Sequence, residues 1–276
     1  MRPRHVTVTE VGPRDGLQNE RAAVATADKV AFVNRLSDAN LPVIEVSAFV
    51  SPTWVPQMAD AADVFAAIVR RPGTRYTALV PNLAGLDRAL AAGVSEIAIF
   101  AASSETFSRK NIHQSIDESL AAYAEVCARA QASGLRVRGY LSTAFGCPFE
   151  GPVAPARVAE VAARLSALGV FEVAISDTIG VAHPGQIPQV LDAVLERLPV
   201  GQIALHFHDT RGTALANVLG AAGNLATDDL IYMLDGFGVE TGVSLAAVSA
   251  ASAFIGEKID RRLPSRYAQA VAATRT

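Results

Sequence analysis

The stretch EVAISDTIGVAHPGQIPQVLDAVLERLPVGQIALHFHDT (172–210) decides the fold. It opens on a short apolar run at 172–178 and passes through 185–198, where apolar residues recur at i, i+3 and i+4. It ends in a second apolar run at 203–208. A strand-length run, an amphipathic helix and another strand-length run make one βαβ unit. The same alternation extends towards the N-terminus, with strand-like runs at 6–12, 43–50, 76–81, 96–102 and 136–143. Helical spacing lies between them at 27–39, 57–70, 83–92, 116–133 and 155–168. From residue 6 to residue 203 the strand starts recur roughly every 33 residues, the size of a repeated βα unit. Such regularity implies a parallel sheet, and this many units in roughly 250 residues favours a TIM (β/α)8 barrel over an open doubly wound sheet. The chain, 1–276, is expected to be a single barrel domain with C-terminal helices, from about 226 onward, packed on it. Seven strands are readable. An eighth is missing, because 212–219, 228–234 and 243–256 all have helical spacing.

Composition narrows the function. Half of the 276 residues are apolar, 18% are charged and the formal net charge is −3. That combination excludes a disordered chain. It also gives no electrostatic source for binding a nucleic-acid backbone or an anionic membrane. No apolar stretch is long enough to span a bilayer, and MRPRHVTVTEVG turns at once into strand alternation without the apolar core of a signal peptide. Two cysteines, Cys127 and Cys147, cannot form a disulfide framework. The expectation is a soluble cytoplasmic protein.

Barrel enzymes place their chemistry at the C-terminal ends of strands, and polar residues gather there in this sequence. The first strand ends in Glu10, followed by Arg14 and Asp15. The second contains Glu45, the third runs into Asn82, and the fourth leads to Ser103, Ser104 and Glu105. Tyr140 and Ser142 close the fifth, Asp177 and Thr178 the sixth, and His206, His208 and Asp209 the seventh. His206 and His208, two apart on a strand, point to one face, so two imidazoles can grip one cation; with an oxygen ligand such a pair suits Mn, Mg, Fe or Zn. The alternative is a hydrogen-bonded pair of core imidazoles. Asp15, on the strand that would neighbour the seventh in a closed barrel, supplies a carboxylate. Cys147, in FGCPFEG, reads as a small buried hydrophobe, as does Cys127. His5, His113 and His183 lie away from the strand ends, and Trp54 and Met58 read as packing. DGFGVETG follows no strand, so it is no dinucleotide fingerprint, and neither a phosphate-binding P-loop nor a GxSxG elbow is present.

Seven segments together resemble the 3-hydroxy-3-methylglutaryl-CoA lyase family, metallolyases of TIM-barrel fold. They are TEVGPRDGLQNE (9–20), IEVSAFVSPTWVPQM (44–58), ASSETFSRKN (102–111), GYLSTAFGCPFEGP (139–152), SDTIGVAHPG (176–185), HFHDTRGTALAN (206–217) and GNLATDDLIYMLDGFGVETGV (223–243). The resemblance runs nearly end to end. It implies retro-Claisen cleavage of 3-hydroxy-3-methylglutaryl-CoA to acetyl-CoA and acetoacetate, the chemistry of leucine degradation and ketone-body formation. It implies a divalent cation, Mg or Mn, held by Asp15, His206, His208 and Asn224. Arg14 would face the enolate oxygen, while Glu45, Asp177 and Tyr140 shape the acyl pocket. Arg14, Tyr140, Thr178 and Asn19 would bind substrate. The proton acceptor is Asp15 or a histidine of the pair, and sequence does not choose between them. A homodimer is implied as well.

The sequence departs from the family at one place. After the seventh strand's helix, the family continues with an eighth strand and a loop close to GGLGGCPYAPGA, whose cysteine is the catalytic thiol. Here NVLG (217–220) runs directly into AAGN (221–224), a shortfall of about two dozen residues, or most of one βα unit. GCPF (146–149) matches the family's fifth-strand motif, so Cys147 does not replace the missing thiol. Either the encoding gene carries a segment that this sequence lacks, or Gly220 is truly joined to Ala221. The first is favoured because an open barrel exposes two strand edges. The alternatives to the lyase are a related synthase that condenses acetyl-CoA with a 2-oxo acid and, if the deletion is real, a metal-binding homologue without turnover.

Overall fold

A computed structural model describes residues 4–220, 226–261 and 263–273. In chain order the elements are β1 (Thr9–Glu10), α1 (Thr26–Asp38), β2 (Val43–Ala48), α2 (Ala61–Ala67), β3 (Arg75–Leu79), α3 (Leu83–Ala91) and β4 (Glu96–Ala102). There follow α4 (Glu105–Ile112), α5 (Ile116–Ala132), β5 (Arg136–Ser142), α6 (Pro155–Ser166), β6 (Glu172–Asp177), α7 (Ile187–Leu195), β7 (Ile203–Phe207) and α8 (Ala214–Gly220). The C-terminal elements are α9 (Thr227–Gly236), α10 (Leu245–Lys258) and α11 (Arg266–Ala273). Among the described residues no helix is long and apolar enough to cross a membrane.

The chain divides into two compact units. The first comprises Met1–Val80, Ala84–Glu96 and Ala226–Thr276, and the second Pro81–Leu83 and Ile97–Leu225. In the first, β1, β2 and β3 are parallel neighbours in that order, with Thr9 opposite Val43 and Val43 opposite Arg75. Every residue of β2, VIEVSA, is buried, as expected of a parallel strand covered on both faces. The C-terminal helices belong to this unit. α10 packs on α1, Ser244 N–H donates to Ala39 O at 2.8 Å, and Asp229 takes the backbone N–H groups of Arg266 and Tyr267, capping α11.

In the second unit β5, β6 and β7 are parallel, with Arg138 opposite Glu172 and Val173 opposite Ile203. Ser103, just past β4, donates its N–H to Ser142 O at 2.9 Å. α5 begins in a capping box: the Ser115 hydroxyl takes the Glu118 N–H and the Glu118 carboxylate takes the Ser115 N–H, so two otherwise orphaned donors are satisfied. β7 is only half-buried over its first three residues, whereas β6 is buried from its second residue onward, and Leu219 on α8 is exposed. That is the end of the chain segment at which the eighth strand was expected, and none is found among the described residues.

Some elements differ from expectation. The run 6–12 forms a strand only at Thr9–Glu10, because Gly12 and Pro13 turn the chain and Val11 O accepts N–H bonds from Arg14, Asp15 and Gly16. The helix expected at 57–70 covers only Ala61–Ala67. α4 has no counterpart in the sequence pattern; its sequence, ETFSRKNI, is short and polar, and its start is capped by the Ser104 hydroxyl, which takes the Phe107 N–H at 3.1 Å.

Candidate active site and metal centre

In the first unit the turn GPRDG (12–16) brings ionisable residues together. The Arg14 guanidinium donates through Nε to the fully buried Glu45 on β2, and through Nη1 to Asp15 Oδ1 at 2.8 Å. Arg14 is itself buried, and Asp15 is half-buried. A guanidinium held between two carboxylates has its plane fixed, and its charge is only partly screened by solvent. The turn is braced by Glu10, whose carboxylate accepts the Gly12 N–H and the Thr227 hydroxyl, each at 2.6 Å. Burial raises the Glu10 carboxyl above its ordinary range, and these two hydrogen bonds oppose that rise. Asn19 stands exposed in the turn that follows.

In the second unit the two histidines converge. His206 Nε2 and His208 Nε2 lie 2.9 Å apart with the rings at 63°. His208 Nδ1 is 2.7 Å from Thr178 O, a carbonyl that can only accept, so Nδ1 carries the proton and Nε2 is left with its lone pair. The Tyr140 ring meets His206 edge-on, with centroids 5.8 Å apart. Two imidazole nitrogens at the end of β7, one of them set by a carbonyl in the acceptor tautomer, are a donor set that fits a divalent cation.

The loop after β6 is built around Asp177. Its carboxylate accepts the N–H groups of Val181 and Ala182 at 2.9 and 3.0 Å. Burial raises this carboxyl, while the two amides and the nearby His208 and Arg211 pull it back. Gly180, at φ +61°, must be glycine, since a Cβ would fall 2.8 Å from His208 O and closer still to Thr210. The Thr178 hydroxyl accepts the N–H of Thr143 at 2.8 Å. Thr143 is fully buried in the left-handed region, φ 59°, a conformation that costs energy for a β-branched residue and persists only where neighbours over-determine it.

The candidate residues therefore fall into two groups, Arg14, Asp15 and Glu45 in one unit and Tyr140, Asp177, Thr178, His206 and His208 in the other. Asn224 lies outside the described residues. Asp209, at the same strand end as the histidines, caps α8 by accepting the Ala214 N–H. Cys147 is buried, with Sγ 3.0 Å from Ser104 Oγ and accepting the Phe149 N–H, as suits a packed thiol. Thr143, Thr227 and the bracing role of Glu10 were not singled out from sequence, where no local pattern announces contacts between distant segments.

A family model described as HMGL-like matches residues 5–222. The chain is 48% identical to the mitochondrial hydroxymethylglutaryl-CoA lyase of Bos taurus, with 97% of this chain and 90% of the relative covered. The chain belongs to the hydroxymethylglutaryl-CoA lyase family. A crystal structure of the hydroxymethylglutaryl-CoA lyase from Pseudomonas aeruginosa superposes with a TM-score of 0.96 at 43% identity, covering 99% of each chain. An Acinetobacter baumannii HMG-CoA lyase in complex with coenzyme A and 3-methylmalate matches at TM-score 0.91 and 32% identity, over 96% of this chain and 95% of that one. The fold is thus the family's TIM barrel, with seven parallel strands among the described residues. In the alignment to the bovine relative, 97% of this 276-residue chain is drawn out over 292 positions. The excess is about two dozen positions, the size of the shortfall read from the sequence and most of one βα unit.

Proposed function

We propose that this chain is a carbon–carbon lyase that cleaves 3-hydroxy-3-methylglutaryl-CoA to acetyl-CoA and acetoacetate, with Asp15, His206, His208 and Asn224 holding Mg or Mn. The observation that supports it best is the Arg14 guanidinium, fixed between Glu45 and Asp15 within a family whose relatives carry this activity in their names. A bound divalent cation supplies Lewis acidity towards the substrate's oxygens. The protein's own groups do the rest. Asp15 or a histidine of the pair takes the proton of the tertiary hydroxyl. As the C2–C3 bond breaks, the electron pair moves onto the thioester as an enolate, which takes up one proton at C2 to give acetyl-CoA and so balances the proton removed from the hydroxyl. Arg14 faces the oxygen where that charge develops, and because Glu45 has already oriented it, little reorganisation is needed. Asp177 keeps the 178–182 loop in the shape that presents Thr178 O to His208. Tyr140, Thr178 and Asn19 complete the acyl-binding surface. Residues 1–276 act as a single lyase domain, in a homodimer, and the two free, buried cysteines suit a reducing compartment such as the cytoplasm.

Incubation with 3-hydroxy-3-methylglutaryl-CoA and Mg or Mn tests this, with acetyl-CoA and acetoacetate measured together. Formation of both in equal amounts supports the lyase. Condensation of acetyl-CoA with pyruvate or 2-oxoisovalerate, without cleavage, points to a synthase. The two dozen positions missing relative to the bovine enzyme favour one second reading, a homologue that binds the metal without turning over. It predicts Mn binding with neither product.

A further inference from the structure

Glu10 takes no part in the reaction as derived above, yet it is buried at the end of β1 and makes two short, charge-assisted hydrogen bonds. One is to Gly12 N–H, inside the turn that carries Arg14 and Asp15. The other is to the hydroxyl of Thr227, the first residue of α9 and 217 positions away in sequence. Gly12 is shaped to this carboxylate, since a Cβ there would stand 2.8 Å from Glu10 Oε1. The remainder of the turn hangs on Val11 O, which accepts the N–H groups of Arg14, Asp15 and Gly16. The turn is thus held at both ends of its first residues, through Glu10 to α9 and through Val11 to β1. α9 is itself pinned within the same unit: Asp228 takes the Ser252 hydroxyl, and Asp229 takes Ser265 and the start of α11. In sequence, Asn224 stands three residues before Thr227.

We infer that Glu10 is a positioning residue for the metal centre, a strut between the Arg14–Asp15 turn and the start of α9 that sets where the Asp15 carboxylate stands. The inference rests on the reading of Asp15 as a metal ligand. Within one unit, this strut ties the start of α9 to the end of β1. Outer partners that orient a metal's ligands are worth about 10–100-fold in affinity, and the lower end of that range is expected for one acting through the backbone.

The test is Mn2+ affinity of the full chain, read by electron paramagnetic resonance of the free ion, with thermal unfolding of the metal-free protein recorded alongside. Glu10→Ala and Thr227→Val should each weaken Mn2+ binding by about tenfold, and Thr227→Ser, which keeps the hydroxyl, should restore it. His208→Ala is the control for the underlying reading. If it abolishes binding while Glu10→Ala and Thr227→Val bind Mn2+ like the parent, Glu10 is only a structural brace and the inference fails. If His208→Ala also binds like the parent, the metal reading itself is wrong. Should Glu10→Ala not fold, the Thr227→Val and Thr227→Ser pair decides alone. In variants with turnover, a KM raised at low Mn2+ and recovered at saturating Mn2+ is expected. An unrecovered fall in kcat would point instead to Glu10 acting on the chemistry.

Discussion

The imidazoles of His206 and His208 turn their Nε2 atoms towards each other at 2.9 Å, while Thr178 O takes His208 Nδ1 at 2.7 Å. One carbonyl thereby assigns the tautomer of one histidine and leaves its outer nitrogen as a lone-pair donor towards the second. His208→Ala should therefore raise the Kd for Mn2+ by more than about 100-fold, beyond the cost of losing an outer partner, with an unchanged far-UV circular dichroism spectrum. Equal affinity in parent and variant would show the pair to be a plain hydrogen-bonded couple.

Arg14 and Glu45 form a buried pair, and the two halves cannot be removed alike. Arg14→Met takes the guanidinium away from a fully buried carboxylate, which should cost about 3–5 kcal/mol in urea unfolding. The double change Arg14→Met with Glu45→Met should recover most of that loss. Arg14→Lys keeps the charge but not the planar fork. It should remain folded while kcat falls by about 10²–10³, the usual loss for a donor aimed at a developing oxyanion.

Asp228, the second residue of α9, has a buried carboxyl, and its Oδ2 has no hydrogen-bond partner among the described residues. Burial raises this carboxyl above 3.8; the Ser265 and Ser252 hydroxyls oppose the rise, and neighbouring Asp229 adds to it. A carboxyl that is raised in the folded state binds its proton more tightly there than in the unfolded chain. Its contribution to stability is therefore complete below pH 3.8 and is lost as pH rises through the folded value. Asp228→Asn removes that dependence. Its Tm relative to the parent should rise on going from pH 3.5 to pH 7, and a constant difference across that range would contradict the assignment.

Intact mass of the protein from its natural source decides the break after Gly220. The sequence as written corresponds to 28.9 kDa. The half-buried β7 and exposed Leu219 lead us to expect a mass about 2–3 kDa higher, most of one βα unit, with full lyase turnover. A mass of 28.9 kDa would mean that the thiol loop is truly absent. Mn2+ binding without cleavage would then be the outcome.

Much of this molecule is determined by sequence alone, because the relevant signals are local. Period-2 runs and i, i+3, i+4 spacing place seven strands and most helices, since strands and helices bury one face by fixed geometry. The same strand period puts His206 and His208 on one face without any structure. The GPRDG turn is legible as the end of the first strand, although only the structure shows how early that strand stops: Val11 O gathers three amides into the turn. α4 escaped notice because its polar sequence has no apolar stripe and its start depends on one serine cap.

What only the tertiary structure decided are the contacts between distant segments. Glu45 holds Arg14 from 31 positions away, Thr178 O sets the tautomer of His208 from 30, and Glu10 reaches Thr227 across 217. Sequence patterning records which face of an element avoids water, and that preference is set residue by residue. Which buried donor meets which buried acceptor is set by the strand register and by the burial of both partners, and those exist only after the chain has folded.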